Sequence, residues 1–107
     1  MARRFAGLPT ASILGLEIPI ATTRRARLLG LAHLDREAAG PGILLPHCRS
    51  IHTFGMRFPI DVLYLDADVR VLERHDAVGS RRILVCRSAA AVVELPSVGG
   101  DSIRPGA

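Results

Sequence analysis

"SIHTFGMRFPIDVLYLD", residues 50–66, decides how this chain folds. Its second half, Ile60 to Asp66, is apolar, β-branched and aromatic except for Asp61, and reads as a strand. Side chains alternate along a strand, so Asp61 shares a face with Leu63 and Leu65, while Ile60, Val62 and Tyr64 take the other. One face must be core. If both are covered, as in a small closed barrel, Asp61 points into apolar surroundings, where an ionised carboxylate is costly unless paired or hydrogen-bonded. The first half, "SIHTF", reads as another short strand, and "GMRFP" turns the chain between the two. If they are antiparallel neighbours about that turn, His52 comes within reach of Asp61. The donors then open to Asp61 are the backbone N–H groups of "TFGM", the Thr53 hydroxyl and His52.

Outward from this segment, "ILGLEIPIA" (Ile13 to Ala21) reads as an early strand, with Pro19 placing it at an edge or bend. Thr22 or Thr23 can cap a short helix over "RRARLLGLAHL", which Gly30 weakens. "DREAAGPG" reads as loop. "ILLP" (Ile43 to Pro46) is a buried strand, and "IDVLYLD" with "VRVLER" makes a hairpin through "DAD". "RILVC" and "AAVVEL" are two more apolar segments, the latter readable as strand or helical turn, and "GGDSI" leads into a last short strand. His75-Asp76 reads as exposed turn chemistry. The expectation is a single mainly β domain over 1–107, a small barrel or half-barrel of short strands with one short helix. Residues 1–11 would be a flexible lead-in.

Composition narrows the function classes. Of the residues 49% are hydrophobic, which argues against disorder, and no apolar run reaches the roughly 20 residues of a membrane-spanning helix. Pro9, Glu17 and Pro19 break the apolar stretch that a signal peptide requires, so a cytoplasmic location is expected. Cys48 and Cys86 then read as reduced, small hydrophobes. All 14 basic residues are arginine, a bias that heat or GC-rich coding produces equally. The net charge of +4 gathers at Arg3, Arg4, Arg24, Arg25 and Arg27. Such a cluster can hold phosphates. The chain lacks zinc-finger spacing and an aromatic-rich sheet face, which disfavours nucleic acid.

"ATTRRARLLGL", "PGILLP", "HTFGMRFPIDVLYLD" and "VVELPSVGGDSI" together resemble the bacterial and archaeal domain of unknown function 192, over about Ile18 to Ile103. Pro59-Ile60-Asp61 with the strand after it is the most specific part. Aligned on Pro59, His52 stands where the family often has tryptophan, Thr53 at its methionine, Gly55 at its asparagine and Met56 at its threonine. The chain looks like a His-Thr-Phe-Gly-Met branch. The resemblance implies a compact β-rich domain and no established activity, cofactor or catalytic residue.

The candidate ligand-binding residues are His52, Thr53, Gly55, Met56 and Asp61, forming a polar cleft for a small ligand or protein partner. Gly55 would give close backbone approach, and Met56 a soft wall. The bland alternative is that Asp61 staples a turn and His52 is a satisfied histidine. Glu94 in "VVELP" is the second odd charge. Paired with Arg57 or Arg87 it is a structural ion pair; converging with Asp61 it would give two carboxylates for acid–base work. His52, Asp61 and Glu94 are therefore the catalytic candidates of a rival, hydrolase-like reading. Arg24, Arg25 and Arg27 are those of a phosphate- or nucleic-acid-binding reading. In "HCRSIH", His47 and Cys48 point to opposite faces of an extended segment, which argues against a metal site with His52. Cys48 and His52 share a face, but Arg49, the cation at hand to activate the thiol, faces away. No cofactor is expected.

Overall fold

A computed structural model describes residues 2–97. After a 3-10 turn at Arg3–Phe5 come β1 (Thr10–Ile13), β2 (Leu16–Pro19), α1 (Arg24–Leu29) and α2 (Arg36–Ala39). Then follow β3 (Ile43–Pro46), β4 (Ser50–His52), β5 (Ile60–Leu65), β6 (Val71–Val78), β7 (Ile83–Val85) and β8 (Ala91–Pro96). The domain is mainly β. Its centre is an open four-stranded sheet in the order β3-β8-β5-β6, with β1-β2 and β4-β7 as two separate two-stranded ribbons.

β5 is central, and all six of its residues are buried. The reason is coverage of both sheet faces. On one, Leu63, Leu65 and Val93 pack against Ile13 and Ile18 of the β1-β2 hairpin. On the other, Ile60, Val62, Tyr64 and Val92 meet Phe5, Ala26, Leu31, Ile51, Met56 and Cys86, which come from the helical segment, the β4-β7 ribbon and the chain's first turn. Asp61 thus lies on the hairpin face, as strand parity requires.

The expected barrel is corrected: the sheets do not close. β3 and β6 stand at opposite edges of the central sheet, and the strands that could join them pair elsewhere. β6 also carries two β-bulges, with Ile60 opposite Val78 but Val62 opposite His75, and Tyr64 opposite Glu73 but Leu65 opposite Val71. Bulges twist an edge strand and spoil further pairing. His75 and Asp76, expected in a turn, belong to this strand.

Other local readings shift. "ILGLEIPIA" is not one strand but contributes to a hairpin whose turn is Leu14-Gly15. Among the described residues two α-helices form rather than one. Thr23 caps α1, its hydroxyl accepting from the Ala26 N–H at 3.1 Å; such a cap is worth about 1 kcal/mol. Gly30, at φ 52° and ψ −123°, ends the helix. The expected loop after Asp35 winds into α2 and stops at Gly40. Phe5, within the expected lead-in 1–11, is buried in the core. The reading of "GGDSI" lies outside the described residues.

Candidate functional site

The residues singled out around the "HTFGM" turn separate. β4 pairs with β7, not with β5: His52 faces Ile83 across the ribbon. The expected His52–Asp61 neighbourhood does not form. Asp61 takes its donor from β6, where the Ala77 N–H meets Oδ1 at 2.8 Å and the Arg74 guanidinium stands 3.7 Å from Oδ2. Ala77 sits at φ 50° in the first bulge, where its N–H has left the ladder. Asp61 staples that bulge. The Thr53 hydroxyl accepts from the Arg82 N–H at 2.7 Å and donates to the Gly79 carbonyl at 2.8 Å, fastening the β6-β7 connection. Gly55, at φ 82°, lies under the His33 ring, and a Cβ there would come within 2.6 Å of His33 Cε1. Met56 is a core residue. Of the five, His52 borders a cleft.

That cleft opens beside Glu94, not Asp61. It has a volume of about 160 Å³, with Leu28, Leu29, Leu45 and Ile51 among its walls and Arg27, Cys48 and His52 also on its boundary. It continues outward into a shallower hollow edged by Arg24, Arg27 and Leu28. On the β4-β7 ribbon beside it, Ile83 and Val85 are exposed, as is Phe54, whose ring lies 5.7 Å from that of His52.

Glu94 sits opposite Ile43 on β3 and Val62 on β5. Val62 and Asp61 are consecutive, so the two carboxylates occupy opposite faces of the sheet and cannot act together. Neither Arg57 nor Arg87 pairs with Glu94; Arg57 binds Asp35 instead. Glu94 is 2% exposed. Its Oε1 accepts from the Leu31 N–H at 3.2 Å, and Oε2 has no partner among the described residues. Burial pushes this carboxyl up to about 7, against the opposing pull of the Leu31 hydrogen bond. Gly30 makes the contact possible: a Cβ at that position would stand 2.5 Å from Oε1. The Gly30 carbonyl, on the same peptide unit as the Leu31 N–H, accepts from Arg4 Nη1 at 3.0 Å.

Two further groups lie close by. Burial pushes the Cys48 thiol up, and its S–H meets the Ser50 carbonyl at 3.1 Å, so it rests as a protonated thiol rather than a nucleophile. The Tyr64 hydroxyl is buried on Glu94's sheet face without a hydrogen-bond partner among the described residues, and burial raises its pKa. The arginine cluster divides: Arg24 and Arg27 edge the outer hollow, whereas Arg25 joins Arg3 and Arg4 around a second one. Reading the sequence alone missed Leu28, Leu45 and Ile51 as cleft walls, because they come from three elements whose packing no local pattern reveals. The usable signal was Glu94, a charge in the middle of an apolar strand.

Fold and site together define a small mainly β domain that holds an uncompensated carboxyl at the floor of an apolar-walled cleft. The family model of domain of unknown function 192, described as an uncharacterized ACR, matches residues 9–101, and the chain belongs to that family. Two solved structures share the fold. One is a "putative transcription regulator" from Sinorhizobium meliloti 1021, with TM-score 0.67 and 22% identity over 79% of this chain and 70% of that one. The other is a protein of unknown function from Novosphingobium aromaticivorans, with TM-score 0.59 and 18% identity over 91% of this chain and 86% of that one. No curated protein matches the chain.

Proposed function

We propose that this domain is a binding module and that its ligand site is the Glu94 cleft. The observation that carries the reading is the carboxyl itself. It is buried among apolar walls, accepts from one N–H through Oε1, and borders an open cleft. An unpaired buried carboxylate is expensive, and a ligand that donates to it recovers that cost. The ligand this favours has a hydrogen-bond donor, cationic or neutral, on a short apolar body. The exposed Ile83, Val85 and Phe54 extend the apolar contact beyond the cleft for a larger ligand or a protein segment. Two free cysteines support a cytoplasmic location.

The test is an NMR titration of the chain with n-butylammonium, isobutyramide and n-butanol, following backbone amides. Saturable shifts at Leu31, Ile51 and Glu94 that Glu94→Gln weakens are expected. Absence of saturable shifts there with all three probes overturns the reading. A hydrolase-like second reading keeps one pair from the catalytic candidates, Glu94 with His52, because both border the same cleft. It requires ester turnover that Glu94→Gln and His52→Ala each abolish.

A further inference from the structure

On the far side of the Gly30–Leu31 peptide from Glu94 lies a second concavity, of about 490 Å³, bounded by Ala2, Arg3, Arg4, Arg25, Leu34 and Ala38. Three of its six bounding residues are arginine, and none is acidic. None of the three takes part in an ion pair among the described residues. Arg4 is half-buried and fixed in place: its Nη1 donates to the Gly30 carbonyl at 3.0 Å. Its remaining donors are free of hydrogen bonds to the described residues. Burial and the charge of nearby Arg25 both hold Arg4 below the usual guanidinium range, so the two cations are close enough to repel.

Like charges gathered in a hollow without a counter-charge raise the energy of the empty site and lower that of an anion-filled one. Guanidinium presents a planar fork that matches two oxygens of a tetrahedral oxyanion, and several such forks around one hollow favour a multiply charged group over a carboxylate. The hollow is also of small-molecule size and concave. A duplex instead carries its charges along an extended line, about one per 1.7 Å. We propose that the Arg3-Arg4-Arg25 hollow binds the phosphate group of a small phosphorylated ligand, with Leu34 and Ala38 supplying an apolar wall for the ligand's body.

Inorganic pyrophosphate titrated into the full chain at fixed ionic strength tests this, followed by amide and arginine Nε–H shifts. Saturable shifts centred on Arg4, Arg25 and Leu34 are expected. The double variant Arg3→Gln/Arg25→Gln, whose two side chains are exposed, should weaken the midpoint roughly tenfold or more. The control variant Arg81→Gln/Arg87→Gln removes the same charge from exposed positions outside both clefts and should leave it within about twofold. Equal loss from both variants, or shifts that grow linearly without saturating, overturn the proposal, as does a random-sequence DNA duplex competing more strongly per phosphate than pyrophosphate.

Discussion

Glu94 and Gly30 are one device made of two residues. The carboxyl can lie against the chain only where no side chain intervenes, and the backbone at Gly30 adopts a positive φ that other residues enter at a cost. Gly30→Ala should therefore destabilise the domain by about 2 kcal/mol or more and break the Leu31–Glu94 hydrogen bond. Urea denaturation measures the first, and the Leu31 amide shift the second. The part of the cost due to the clash has a separate signature. Adding Glu94→Ala to Gly30→Ala should cost less than the sum of the two single changes. Strictly additive losses would mean that the two residues do not meet.

At the scale of elements, the bulged strand β6 explains the other buried acid. Asp61 bonds the Ala77 N–H in the first bulge, so its role belongs to the β5-β6 pair rather than to a cleft. Asp61→Ala should cost about 2 kcal/mol, since it leaves that N–H without its acceptor, and Asp61→Asn should cost distinctly less because an amide oxygen still accepts. Equal losses in chemical denaturation would show that the Arg74 contact, not the N–H, matters. The position of Asp61 on the Leu63 face was legible from alternation along β5, and local chemistry also pointed to a helix cap at Thr22 or Thr23 and to the strands β3 and β5, whereas "AAVVEL" read equally as strand or helical turn. The partner of Asp61 was not legible. Nothing in "VLERHDAV" announces two extra residues, and the pairing of β4 with β7 depends on contacts about 30 residues apart in the chain. Local chemistry fixes which segments extend; long-range packing chooses their neighbours.

For the whole molecule, the raised pKa of Glu94 makes stability depend on pH in a stated direction. The folded state holds the proton up to about pH 7, while the unfolded chain releases it near 4.5. The folded form therefore binds more protons between those values, and stability falls as pH rises through that window and levels off above it. The difference amounts to roughly 3 kcal/mol. Glu94→Gln, which keeps an acceptor for Leu31, should match the parent near pH 4.5 and exceed it at pH 8. A parent-minus-variant difference that does not change across that range would contradict the assignment. The sequence made Glu94 conspicuous but could not say what lay over it, because the cleft assembles from α1, β3, β4 and β8 only after folding. The Gly30–Leu31 amide plane stands as a party wall between two rooms, gripped by a guanidinium through its oxygen and by a carboxyl through its nitrogen. Whatever lodges in either room is thus one amide plane away from the other.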